Sequence, residues 1–173
     1  MRGLHHREPG TVGGALTLPG LTVEVIADGI HVHPVALAVA KAIRGTDGIL
    51  LVTDAMRAAG LVDGEYDVGQ QLAFVKNGAV RLADGTLAGS VLTMARAVRN
   101  MVQLVGMTLQ AAVAMASLNP ASCLGLDKQK GTIAVGKDAD LAILDKNYEV
   151  VTTIIEGRAV FTREDAHWRG ASS

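Results

Sequence analysis

Two short stretches hold residue types that could do chemistry together. "ADGIHVHP" runs from Ala27 to Pro34 and places His31 and His33 two residues apart; "LLVTDAM" runs from Leu50 to Met56 and places Asp54 after an apolar run. At an extended strand end, residues i and i+2 face the same way, so His31 and His33 could share a target. An H-x-H pair can hold zinc, but two ligands alone do not make a metal site. The residues leave three readings open: two ligands, one functional histidine, or polar residues that end a strand. Asp54 is the stronger candidate, because a carboxylate at the end of a buried strand is costly unless it is paired or used. Its structural alternative is a helix N-cap or turn aspartate. Arg7 lies in "HHREPG", a loop bounded by Pro and Gly. A guanidinium there could grip a phosphate or carboxylate with two parallel hydrogen bonds; the alternative is a solvated surface arginine. His5 and His6 are adjacent, are expected to diverge, and read as loop residues. "DGTLAGS", Asp84–Ser90, lacks the G-K-[ST] of a phosphate loop but could present backbone N–H groups to a ligand. Cys123 sits in an apolar, helix-like stretch without a partner cysteine and reads as packing rather than nucleophile.

The elements that must position these residues read as α/β followed by β. Residues 1–20 carry little periodicity and read as loop. "LTVEVIAD", Leu21–Asp28, reads as a strand, "PVALAVAKAIR" from Pro34 as a helix stopped by Gly45, and "DGILLVTD", Asp47–Asp54, as a strand buried on both faces. Strand, helix, strand in this order is a βαβ unit. Its two strands would then end in polar residues on the same side, where α/β proteins keep their sites. Asn77-Gly78 and Asp84-Gly85 mark hairpin turns. Ser90 can cap a helix whose apolar stripe is Val91, Met94, Ala95, Val98, Met101, Val102 and Val105; Thr108 can cap the next, and Pro120 opens a short third. From Gly131 to Phe161, strands alternate with Gly and Asp/Asn turns, as in part of a small β-sheet.

Composition narrows the classes. The chain has 173 residues, 49% hydrophobic and 19% charged, with a formal net charge of -1. That is a globular composition without the basic excess expected of a nucleic-acid or anionic-membrane binder. Aromatic residues are only 3%, so base-stacking platforms are not expected. A single cysteine fits a reducing compartment, the N-terminus has no apolar h-region, and no apolar run is long enough for a membrane span. A cytoplasmic protein is expected.

"MRGLHHREPG", "ADGIHVHP", "LLVTDAM", "DGTLAGSVLTM", "NPA" and "GTIAVGKDADLAILD" stand in the order found in N-acetylglucosamine-6-phosphate deacetylases. The chain resembles this family, part of the metal-dependent amidohydrolase superfamily, from about Met1 to Phe161. The resemblance implies an α/β fold: the C-terminal part of a TIM (β/α)8 barrel, with its last two strands and following helices over 1–125, and part of a small β-sandwich over 126–162. Residues 163–173 would be a tail. It implies that Asp54 is the catalytic aspartate close to the metal, and a further ligand to it. It implies that Arg7 holds the 6-phosphate, reaching a neighbouring subunit's site in a homodimer. Asp28, Gly29, Ile30 and His31 match the family's D-G-x-H segment, in which the histidine contacts substrate and helps polarise the acetamide carbonyl. Leu87, Ala88 and Gly89 match a loop that closes on the sugar. His33 has no catalytic role in that pattern and becomes local structure.

The implied reaction is metal-assisted hydrolysis of the acetamide of N-acetylglucosamine 6-phosphate, an N-acetylhexosamine 6-phosphate, giving glucosamine 6-phosphate and acetate. Zinc is the first choice of metal and iron the second. The family's other ligands, a glutamate and two histidines, belong upstream of Met1. A complete barrel takes about 250 residues, and this chain has room for two of its strands. Parallel neighbours at 21–28 and 47–54 would carry two open edges, so the chain is expected to aggregate or to complete itself with another. Two alternatives stand beside the deacetylase: a non-catalytic remnant without the metal site, and an amidohydrolase acting on another acylated amino sugar or a cyclic amide.

Overall fold

The computed structural model describes residues 1–69 and 71–164. The chain folds as two compact units, Met1–Ala116 and Ser117–Ser173. Each is described by itself.

The first unit opens with helix α1, Gly10–Thr17, where the sequence suggests loop. Burial of Gly13 and Leu16 forms it, a packing contribution that local propensity does not carry. Strand β1, Val23–Val25, is shorter than its apolar run. Helix α2, Pro34–Arg44, starts and stops where the sequence places it. Pro34 occupies the first turn, and the His33 Nδ1 accepts the Val35 N–H at 3.2 Å as an N-cap. Strand β2, Ile49–Leu51, is buried throughout. It pairs with β1 in parallel, Val23 opposite Ile49 and Val25 opposite Leu51, so the βαβ unit is present.

Next come four antiparallel strands in meander order: β3 Gly64–Val68, β4 Gln71–Lys76, β5 Ala79–Leu82 and β6 Leu87–Ser90. The β4–β5 turn is Asn77-Gly78 with φ of 52° and 79°, the left-handed pair that a two-residue hairpin demands. A small apolar layer of Ala73, Val75 and Val80 underlies this sheet. Helix α3, Met94–Val105, is capped by Thr93, whose Oγ1 accepts the Arg96 N–H at 3.3 Å, not by Ser90. The Ser90 hydroxyl is already committed, donating to the Thr53 carbonyl and accepting the Leu92 N–H at 3.0 Å. Helix α4, Leu109–Ala116, follows, with Thr108 accepting the Ala111 N–H as expected. The main core gathers Leu37 from α2, Ile49 and Leu51 from β2, Val98 and Met101 from α3, and Met115 from α4.

The second unit holds α5, Leu118–Cys123, and an antiparallel sheet of β7 Leu141–Leu144, β8 Val150–Ile155 and β9 Arg158–Thr162. Cys123 is exposed at the end of α5, so it is not the packing residue the sequence suggests. Lys130 bridges Asp138 at 2.8 Å and also Asp140, tying the segment after α5 to the "GKDAD" turn that precedes β7. Arg163 and Glu164 are described; the rest of the expected tail lies outside the described residues. Among the described residues, no helix is long and apolar enough to cross a membrane.

Met101 is completely buried where α3 meets the rest of the core, whereas Leu104 on the same helix is 50% exposed. Met101→Ala is expected to lower unfolding stability by about 2–5 kcal/mol through lost burial and a residual cavity. Leu104→Ala should stay within about 1 kcal/mol. Denaturant titration distinguishes them, and equal costs would mean that α3 does not pack as described.

Candidate functional site

β1 and β2 are parallel, so their carboxyl ends lie on one side of the pair. Asp28 and His31 follow β1, and Asp54 follows β2. The pairing runs from the Val23 N–H, which donates to the Gly48 carbonyl at 3.0 Å, to the Val25 carbonyl, which accepts the Val52 N–H at 3.1 Å. Beyond that point both strands turn.

After β1 the turn is built on Asp28, which is 9% exposed. Its Oδ1 accepts the N–H groups of Ile30 and His31, each at 2.8 Å. Its Oδ2 lies 2.6 Å from the His31 Nδ1. Burial pushes the Asp28 carboxyl up, but the His31 ring hydrogen bond and the two backbone N–H bonds outweigh it and hold the group below its ordinary 3.8. An ionised carboxylate only accepts, so Nδ1 carries the ring proton and Nε2 is left for a ligand. The backbone bends through residues 28–32 instead of staying extended. His31 and His33 therefore share no target: the first turns back onto Asp28, and the second caps α2.

Asp54 is exposed and holds φ at 48°, a left-handed conformation that only a surrounding structure sustains in a non-glycine residue. Its support comes from "LAGS". The Ser90 N–H donates to the Asp54 carbonyl at 2.8 Å, the Met56 N–H donates to the Ser90 carbonyl at 2.8 Å, and the Ser90 hydroxyl donates to the Thr53 carbonyl. Gly89 has φ of 78°, and a Cβ there would stand 3.2 Å from the Asp54 carbonyl oxygen. Leu87, Ala88 and Gly89 thus form strand β6, not the loop expected, with Gly89 laid against the backbone of Asp54. The exposed Asp54 carboxylate also removes the argument that burial forces it to be paired.

Arg7 stands apart. His5–Glu8 forms a tight turn in which the Arg7 N–H donates to the His5 Nδ1 at 3.3 Å and its guanidinium donates to the His6 Nε2 at 2.9 Å. The rings of His5 and His6 lie 4.2 Å apart, so they converge where divergence is expected. The turn is exposed and offers cationic and imidazole donors to solvent.

Sequence reasoning missed Asn100 and read Ser90 only as a helix cap. The Asn100 Nδ2 donates to the Ala27 carbonyl at 2.8 Å from 73 residues away. Position 100 falls outside the apolar stripe read from the sequence, about 200° around the helix from Val98, so the sequence carries no signal for its burial. Among the described residues, no three His, Cys, Asp or Glu side chains cluster in a way that could hold a metal ion. The donor set on hand therefore does not fit a divalent ion, since Asp54 would give a single carboxylate where a protein site needs three or more ligands.

The amidohydrolase family model matches residues 2–160. The chain is 48% identical over 158 residues to a Lysinibacillus sphaericus protein named N-acetylglucosamine-6-phosphate deacetylase, covering 91% of this chain and 41% of that one. An Escherichia coli (strain K12) protein provisionally named as an N-acetylgalactosamine-6-phosphate deacetylase is 46% identical, with 91% of this chain and 94% of that one covered. The solved structure of N-acetylglucosamine-6-phosphate deacetylase from Thermotoga maritima superposes with a TM-score of 0.86 at 41% identity, covering 94% of this chain and 44% of that one. The chain thus spans about two fifths of the length of the first of these relatives.

The Asp28 carboxyl binds its proton less readily in the folded chain than its ordinary 3.8. Its stabilisation is therefore present above that pH and lost as the pH falls through the lower folded value. Asp28→Asn is expected to cost about 1–3 kcal/mol at neutral pH and to remove this part of the acid dependence. Denaturant titrations from pH 7 to pH 2 measure it; an unchanged acid slope in the variant would assign the dependence to other carboxylates.

Proposed function

Because the chain belongs to the amidohydrolase family, we propose that it carries the C-terminal part of a deacetylase that hydrolyses the acetamide of N-acetylglucosamine 6-phosphate to glucosamine 6-phosphate and acetate. The supporting observation is the shared strand end, with Asp28 and His31 after β1 and Asp54 after its parallel neighbour β2. In this reading β1 and β2 are the seventh and eighth strands of a (β/α)8 barrel within residues 1–125, and β7–β9 belong to part of a β-sandwich within 126–162. A cytoplasmic homodimer is part of the same proposal.

Each residue then has a role. Asp54 takes a proton from the attacking water and returns it to the leaving amine. His31 offers Nε2 to the acetamide oxygen. Because Asp28 holds the proton on Nδ1, His31 donates from Nε2 only as an imidazolium, with the Asp28 carboxylate as its counter-charge. The Leu87–Gly89 backbone faces the sugar. Arg7 grips the 6-phosphate from a neighbouring subunit, which agrees with its exposed turn. Members of this family generally depend on a metal. Zinc, with iron the second choice, would take its remaining ligands from the length of the relatives that this chain does not span. Relatives named for both glucosamine and galactosamine epimers make the galacto sugar the second substrate reading.

The test is acetate release from both sugar phosphates by the 173-residue chain and by any longer protein that the reading frame upstream of Met1 encodes. A frame that continues through a histidine just before Met1 is expected; a stop codon there would leave the remnant reading. In the longer protein, Arg7→Ala is expected to raise KM for the 6-phosphate at least about tenfold more than for the unphosphorylated sugar, the loss of one charge-assisted contact. An equal effect on both sugars would remove Arg7 from phosphate binding. Asp54→Asn is expected to lower kcat by about 10²–10⁴-fold with KM nearly kept, and wild-type turnover in that variant would exclude Asp54 as the proton carrier.

A further inference from the structure

The β1–β2 register identifies a missing rung. Val25 is opposite Leu51, and its carbonyl accepts the Val52 N–H. In a parallel ladder the next carbonyl on that side belongs to Ala27, and its donor would be the Asp54 N–H. That bond is not among the hydrogen bonds of the described residues, because Asp54 has turned into the left-handed region and its carbonyl is held by the Ser90 N–H. Ala27 is nevertheless fully buried, and a buried carbonyl left without a donor is costly.

The Asn100 side chain fills the gap. It lies on the inner face of α3 beside Ala97, Val98 and Met101 and is itself 8% exposed. Asparagine is a poor choice for a helix interior, and a primary amide is a poor choice for an apolar core. Its Nδ2 donates to the Ala27 carbonyl at 2.8 Å. Asp28 follows directly, with the carboxylate that holds the Ile30 and His31 N–H groups and the His31 ring.

We propose that Asn100 is a positioning residue whose side-chain amide replaces the next rung of the β1–β2 ladder, and so fixes the strand end that presents His31 while Asp54 is free to turn away. Its relevance to catalysis rests on the deacetylase reading; the positioning itself does not. The same logic explains how two parallel strands separate at their ends without stranding a buried carbonyl.

The experiment uses the 173-residue chain, with Asn100→Leu and Asn100→Asp as variants. Both approximate the size of asparagine; leucine has no donor, and an ionised aspartate only accepts. Two-bond ¹H–¹⁵N spectra report the ring tautomers. In the wild type, His31 is expected to show the Nδ1–H form and His33, whose Nδ1 accepts, the Nε2–H form. In the variants the His31 pattern is expected to move to a mixture of tautomers while His33 stays unchanged. Hydrogen exchange at the Ile30 and His31 amides should rise at least about tenfold, the loss expected when a buried hydrogen bond is left unmade, with the Ala97 amide in α3 unaffected. A wild-type His31 tautomer and wild-type exchange at residues 30 and 31 would overturn the proposal. So would general unfolding of both variants, which would make Asn100 a plain core residue. Neither readout needs substrate, so a failure of the deacetylase reading shows up in acetate release and leaves these spectra untouched.

Discussion

The place where the β1–β2 ladder stops governs the rest of the first unit. Two parallel strands held by a run of backbone hydrogen bonds offer no space between them. Space appears only where the rungs end, after the Val25 carbonyl meets the Val52 N–H. Every polar feature of the site follows from how the released backbone groups are satisfied. On one side Asp28 collects two N–H groups and a ring; on the other Ser90 collects the carbonyls of Thr53 and Asp54. The chemistry-bearing side chains sit at these positions because here the backbone has left the ladder and side chains must replace it.

The two sides are supported differently. His31 is set by a carboxylate, so its orientation and tautomer depend on charge and weaken in acid. Asp54 is set by backbone geometry, with a left-handed φ braced by β6 through Ser90 and the close approach of Gly89. A side chain at position 89 would press on the Asp54 carbonyl and would itself be strained at that φ. The antiparallel sheet is therefore more than an insertion between β2 and α3. Its last strand forms a brace for the end of β2, joined by the Ala55–Ser90 bridge.

Much of this was legible in the sequence, for reasons that can be named. The continuous apolar run before Asp54 and the Pro34–Gly45 boundaries gave the βαβ unit, since both signals are local. The left-handed demand of Asn77-Gly78 gave the first hairpin. His33 was separable from His31 only through the family resemblance; its proline neighbour and the cap geometry now supply the physical reason. What stayed hidden depends on distant partners. Helix α1 forms because Gly13 and Leu16 are buried, not because its residues favour helix. Ser90 reads as a cap from its neighbours, yet its hydroxyl serves a carbonyl 37 residues earlier. Asn100 falls outside the apolar stripe read from the sequence and would pass for a solvated residue, yet it is buried and its partner lies 73 residues away. Cys123 looks apolar in context and ends up exposed because α5 stops there.

A divided picture of the site follows. Asp28, Asn100, Ser90 and Gly89 all lie within one compact unit, and between them they fix His31 and Asp54 through interactions internal to it. The His31 ring and the Asp54 backbone are therefore set by protein groups of this unit alone. A metal site has the opposite requirement: it needs several ligands converging on one point, and the described residues do not bring three together. The hydrogen-bonded support of the two strand ends is thus encoded within Met1–Ala116.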